Sequence, residues 1–146
     1  MIAPRVNTPR AAMTPAEVEA CWPLLKLLRP HLADQQTFMT QIERQHRAGY
    51  RLLAIWQDAV PLAVAGWRIQ ENLVYGRHAY VDDLITDPNH RGKRLAATLL
   101  SALMDEARNA GCKLFVLDTG IANAAALAFY TREGLENSAI RFSTPL

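Results

Sequence analysis

The sequence predicts one α/β domain of the α+β kind, a central mixed and mostly antiparallel sheet flanked by about four helices. Three observations carry this prediction. Residues 14–47 repeat their apolar positions at helical spacing. Residues 50–86 then break into short apolar runs separated by turn residues, the texture of an antiparallel meander. From Val81 onward the pattern reads strand, helix, strand, helix, strand, and crossover helices of this length imply parallel pairing in the middle of the sheet. With 146 residues, half of them hydrophobic, the chain is expected to form a single domain over 1–146 and to bury roughly 70% of its unfolded surface.

Each element has a local reason. Thr14-Pro15-Ala16-Glu17 is a capping box with proline at the first helical position. A helix follows to about Leu28, with Val18, Cys21, Trp22, Leu25 and Leu28 on one face and Pro23 as a point of kinking. Asp34 caps a second helix, which runs to Arg47 and is stopped by Gly49. Strands are expected over 50–56, 60–70 and about 74–86. After the loop Asp87-Pro88-Asn89-His90-Arg91-Gly92, the residues Leu95, Leu99, Leu103 and Ala107 recur every fourth position in a helix closed by Gly111. A strand over 113–119, a helix over 123–132 with Gly134 at its C-cap, and a last strand near 139–143 complete the reading.

Composition removes several classes of function. The 16 Lys+Arg against 14 Asp+Glu give a net charge of +2 with no basic stripe, so nucleic acid is not an expected partner. No apolar run approaches the ~20 residues that cross a bilayer. Residues 1–5 lack the apolar core of a secretory signal, so a cytoplasmic location is expected. Cys21 and Cys112 match no metal or redox spacing, and the four histidines form no H-x-x-x-H or H-E-x-x-H pattern. No metal is expected. There is no G-x-S-x-G elbow, no P-loop and no G-x-G-x-x-G, which disfavours serine hydrolases, nucleotide hydrolases and hydride transfer.

The sharpest local signal is the junction of strand, short basic loop and long helix at His90-Arg91-Gly92-Lys93-Arg94-Leu95-Ala96. Free backbone N–H groups, the positive end of a helix dipole and cationic side chains converge there, and together they suit an anion. On charge alone, a basic helix start exposed to water reads equally well.

The stretch from Val81 to Leu100 resembles the acyl-CoA-binding motif of the GNAT superfamily of N-acetyltransferases, Q/R-x-x-G-x-G/A. Here the motif is Arg91-x-x-Arg94-x-Ala96, with Arg94 in place of the central glycine. Downstream, Asn123-x-x-Ala126-x-x-Phe129-Tyr130-x-x-x-Gly134-Leu135 is similar to the family's second motif. The resemblance implies the family's sheet, splayed in the middle. It implies acetyl-CoA as co-substrate, its pyrophosphate cradled by the backbone of Arg91, Gly92, Lys93, Arg94, Leu95 and Ala96. It places the pantetheine arm along the main chain of Leu84, Ile85 and Thr86 like an added strand. Arg94 would either crowd the phosphates or fold out and pair with them, and pairing is the expected outcome. Asn123 is expected to hydrogen-bond the cofactor arm or to cap its helix.

Acetyl transfer to an amine needs the nitrogen deprotonated, because an alkyl ammonium with a pKa near ~10 is almost fully protonated at neutral pH. Asp82 aligns with the family's strand carboxylate and Asp83 is the close second, and strict alternation sends the two to opposite faces. Either could instead pair with an arginine. Tyr130 fits the acid that protonates the departing thiolate, with packing on the sheet as its alternative. Asp118 is either a third acid or a loop anchor. The implied enzyme transfers an acetyl group to a primary amine by direct attack in a ternary complex. The alternative is a non-catalytic acyl-CoA-binding regulatory domain of the same fold, to which Arg94 points. The acceptor is expected to be a small-molecule or peptide amine, bound by about 29–38 and 70–78. Homodimerisation is left open.

Overall fold

The computed structural model describes residues 8–146; the reading of residues 1–5 lies outside the described residues. In chain order the elements are β1 (Pro9–Ala11), α1 (Pro15–Ala20), α2 (Trp22–Leu28), α3 (Gln35–Arg47), β2 (Arg51–Gln57), β3 (Val60–Asn72), β4 (Gly76–Thr86), α4 (Leu95–Asn109), β5 (Leu114–Leu117) and α5 (Ala124–Arg132), with a short 3-10 turn at Pro88–His90. The strands form one mixed sheet in the order β1-β2-β3-β4-β5, antiparallel except for the parallel pair β4 and β5.

Alternation along β2 builds two cores. Leu53 and Ile55 face α4 and join Leu95, Leu99 and Leu103. Leu52, Ala54 and Trp56 face the other way, toward Leu24 and Leu25 of α2 and Phe38 of α3. The sheet is therefore covered on both faces, which is what its nearly unbroken apolar runs require.

The helix expected over 14–28 is two helices. Cys21 ends α1 and starts α2, and Pro23 sits in the first turn of α2, where its missing N–H costs nothing. The capping box forms as read: the Thr14 hydroxyl accepts from the Glu17 N–H at 3.2 Å and the Glu17 carboxylate accepts from the Thr14 N–H at 3.1 Å. Glu17 also pairs with Arg10, and that hydrogen bond and the backbone donors of Met13 and Thr14 hold its carboxyl down at about 2. This pair fastens β1 to α1. The sequence reading missed β1 because three residues carry no periodicity.

The strand expected near 139–143 does not form. Ile140 and Phe142 have the spacing of a strand face, yet they are 78% and 93% exposed. β5 spans only four residues, and the tail is held to it by an ion pair between Arg141 and Asp118 rather than by a backbone ladder.

Candidate active site

The site is organised by an irregularity in β4. Gly66 pairs with Asp83 and Trp67 with Val81, so Asp82 is an extra residue in the ladder, a β-bulge. Before it, Tyr80 and Asp82 face α2 and α3; after it, the facing set becomes Asp83 and Ile85. The expectation that the two aspartates point to opposite faces is therefore wrong. The bulge shifts the phase of alternation by one residue, and both carboxylates line a cavity of about 410 Å³ between β4, α2 and α3.

Each aspartate meets an arginine. Arg68 Nε donates to Asp82 Oδ2 at 3.0 Å. Arg29 Nε donates to Asp83 Oδ1 at 3.0 Å, and Arg29 Nη2 donates to the Asp82 carbonyl at 2.8 Å. The second oxygen of Asp83 accepts from the Tyr50 hydroxyl at 2.6 Å. Burial raises the Asp82 carboxyl above the ordinary carboxylate range, with Arg68 pulling the other way. Burial first, then the Asp83 charge, pushes the Tyr50 phenol well above its usual value.

Tyr50 reaches Asp83 because Gly66 has no side chain. A Cβ at Gly66 would lie 1.7 Å from the Tyr50 hydroxyl oxygen. The sequence reading included Arg29 only as the start of the 29–38 acceptor segment and missed Tyr50, Gly66 and Arg68 as parts of this site; of these three, the glycine inside a strand was the available signal, since it marks a bulge or a close approach.

Beyond the bulge the sheet opens. β4 pairs with β5 only from His78 to Val81, and residues 82–86 have no strand partner on that side among the described residues. The main chain of Leu84, Ile85 and Thr86 thus lies along a splay, with Leu84 packed toward α4 and Ile85 toward α1–α3. The chain then turns through Pro88–His90 into the basic loop. Gly92 adopts φ 79° and Arg94 adopts φ 58°, ψ 28°, the left-handed conformation for which glycine is suited and which costs other residues roughly 1–2 kcal/mol. Arg94 precedes Leu95, the first residue of α4, so the first-turn N–H groups of α4, including those of Leu95 and Ala96, have no intrahelical acceptor.

A cleft of about 280 Å³ opens onto them, lined by Arg91, Gly92, Arg94 and Arg132 among others. The Arg94 side chain is mostly exposed and lies 3.9 Å from Glu133 across the cleft. His90 Nδ1 is buried in the same wall without a hydrogen-bond partner among the described residues. Lys93 is exposed and is not part of the lining. Converging N–H groups and cations on a cleft of this size fit a diphosphate.

Tyr130 is partly buried in α5, beside Phe129, a wall of the cleft, at 5.3 Å between ring centres. Burial raises its pKa, so it stays protonated and able to donate. Asn123 caps α5, its side chain accepting from the Ala126 N–H at 3.1 Å. Asp118 is an anchor: it accepts from the Tyr80 hydroxyl and pairs with Arg141. Cys21 is fully buried, and that burial pushes its thiol up to about 12, so it is no nucleophile.

The mixed sheet thus splays beside a helix N-terminus, with a second cavity on the opposite face of the same strand. The chain belongs to the acetyltransferase (GNAT) family, whose profile matches residues 18–135. It is 29% identical over 111 residues to the N-acetyltransferase YhdJ of Bacillus subtilis, 75% of this chain and 78% of that protein. It is 38% identical over 66 residues to aminoalkylphosphonate N-acetyltransferase of Salmonella typhimurium, 45% of this chain and 43% of that one. Among solved structures, aminoglycoside N-acetyltransferase AAC(6')-Iy in complex with CoA superposes with TM-score 0.83 at 19% identity over 99% of both chains. Glucosamine-6-phosphate N-acetyltransferase of Arabidopsis thaliana gives TM-score 0.75 at 21% identity over 94% of this chain and 98% of that one.

Proposed function

We propose that the protein transfers the acetyl group of acetyl-CoA to the primary amine of a small molecule by direct attack within a ternary complex. The observation that carries this is the position of two cavities on either side of one strand: an anion-suited cleft at the start of α4, and a carboxylate-lined cavity at the bulge of β4. Relatives whose names specify small amines, aminoalkylphosphonate and glucosamine 6-phosphate, support the acceptor class.

In this reading the backbone from Arg91 to Ala96 holds the pyrophosphate, with Arg91 and Arg94 adding charge. The pantetheine amides extend β4 along Leu84, Ile85 and Thr86 in the splay. Asp82 takes the proton from the acceptor ammonium, directly or through water. Its Oδ1 makes no hydrogen bond among the described residues, whereas both oxygens of Asp83 are engaged, so Asp83 is the positioning residue and Asp82 the proton acceptor. The amine lone pair attacks the thioester carbonyl, the C–S bond breaks, Tyr130 protonates the leaving sulfur, and the second proton shed by the nitrogen restores the phenol. The products are an N-acetyl amine and coenzyme A. Neither cysteine lines either cavity, which argues against an acetyl-enzyme.

The test is calorimetric titration of acetyl-CoA into the protein, followed by CoA release with a panel of amines. Micromolar binding with amine-dependent release is expected. Binding without release for any amine would favour a non-catalytic acyl-CoA-binding domain, and no binding would overturn the assignment.

A further inference from the structure

Resting on the acetyltransferase reading, the charge inventory of the acceptor cavity narrows the substrate. Its two carboxylates, Asp82 and Asp83, are matched by Arg68 and Arg29, each at 3.0 Å. The lining itself holds two aspartates and one arginine, and Arg68, which pairs with Asp82 without lining the cavity, brings the charges into balance; a polycationic acceptor would need an excess of carboxylates.

What remains uncommitted is equally specific. Both oxygens of Asp83 are occupied, by Arg29 and by Tyr50, so Asp83 has little left with which to hold a second cation. Asp82 keeps one unengaged oxygen, Oδ1. Arg29 uses Nε on Asp83 and Nη2 on the Asp82 carbonyl, while Nη1 has no acceptor among the described residues. Arg29 is 43% exposed and lines the cavity together with His31. Farther along the same wall, Gln41 Nε2 donates to Gln45 Oε1 at 2.9 Å. Asp82, with one oxygen unengaged, and Arg29, with one guanidinium nitrogen unengaged, line the same cavity. An amine suits the first, and a carboxylate or phosphate suits the planar donors of the second.

We propose that the acceptor is a small primary amine that itself bears an anionic group, a carboxylate, phosphate or phosphonate, and that Arg29 holds this anion while the amine lies at Asp82. The cavity volume of about 410 Å³ fits a compact molecule of this kind. The acetyl step is unchanged: one ammonium proton goes to Asp82 before attack, the N–C bond forms, the C–S bond breaks, and the second N–H proton lost on amide formation replaces the one that Tyr130 gives to the thiolate.

The experiment is steady-state CoA release with matched acceptors, an amino acid against its amide, and an aminoalkyl phosphate or phosphonate against its alcohol, with spermidine and an aminoglycoside as polycations. The wild type should favour the anion-bearing member of a pair by ~10–100-fold in kcat/KM, the size of one charge-assisted hydrogen-bond set. In Arg29→Gln this preference should collapse, through KM of the anion-bearing acceptor. Because the preference is a ratio measured on one preparation, it is insensitive to the fraction of variant that folds. Arg29→Lys, which keeps the charge and loses the fork, should fall between. The carboxylate and phosphate pairs distinguish the two anion sources. Best turnover of neutral or polycationic amines, or a wild-type preference that survives Arg29→Gln, overturns the proposal while the acetyltransferase reading stands; no turnover of any amine overturns both.

Discussion

The two cavities beside β4 are built from different materials. The cleft at α4 is made mostly of main chain: first-turn N–H groups and the left-handed turns at Gly92 and Arg94, with cations around them. The cavity at the bulge is made of side chains fixed by other side chains, Asp82 by Arg68 and Asp83 by Arg29 and Tyr50. A backbone site keeps its shape under substitution so long as the dihedrals survive. A side-chain site can change its ligand by one residue, and it falls apart by one residue as readily.

The largest effect is expected at the last step of the proposed reaction, protonation of the departing thiolate. Tyr130→Phe should lower kcat by ~10²–10⁴-fold, the usual cost of a lost general acid, with acetyl-CoA affinity retained. Single-turnover kinetics beside calorimetric titration measures both, and a loss under tenfold would leave Tyr130 as a packing residue of α5.

Asp82→Asn tests the side-chain cavity directly. As the proposed base, Asp82 acts when ionised, so kcat/KM should fall as pH drops through its pKa, and burial places that acid limb above the ordinary carboxylate range. The variant should lose activity and the acid limb together. A limb that persists in Asp82→Asn, followed by a pH-rate profile on a fixed acceptor, would assign it elsewhere.

This contrast also decided what the sequence could reveal. The loop cleft is contiguous, so Arg91, Gly92, Arg94 and Ala96 announced it within six residues. The cavity at the bulge depends on Arg29 at the end of α2, Tyr50 just before β2, Gly66 and Arg68 of β3 and Asp83 of β4, and no local pattern links residues so far apart. The bulge was hidden for a related reason: alternation is a rule for regular ladders, and one inserted residue reverses it for everything downstream. Tertiary anchoring likewise hid the tail, whose period-2 pattern predicts a strand that the Arg141 to Asp118 pair replaces.

Gly66→Ala should break the side-chain cavity without touching a charge. The added Cβ would sit 1.7 Å from the Tyr50 hydroxyl oxygen, so Tyr50 must leave Asp83 or the strands must part. Overpacking of this kind costs about 1–3 kcal/mol, to be read as a lowered denaturation midpoint. KM for the amine should rise while acetyl-CoA affinity holds. A variant as stable as the wild type would mean that β3 yields more easily than its packing implies.

Arg94→Gly has the smallest expected effect and tests the backbone side most cleanly. Glycine adopts φ 58° without the steric cost that arginine bears, which favours the variant by roughly 1–2 kcal/mol before its greater unfolded-state entropy is subtracted. The guanidinium it removes is mostly exposed and stands 3.9 Å from Glu133, so it contributes screened charge to the cleft rather than a buried contact. Acetyl-CoA affinity should therefore change by only a few-fold, and the loss should shrink as salt is raised, because screening already weakens an exposed cation. A fall of a hundredfold would show that the cofactor is held by the Arg94 side chain, and the division between a backbone cavity and a side-chain cavity would fail at the residue where this chain departs from the family motif.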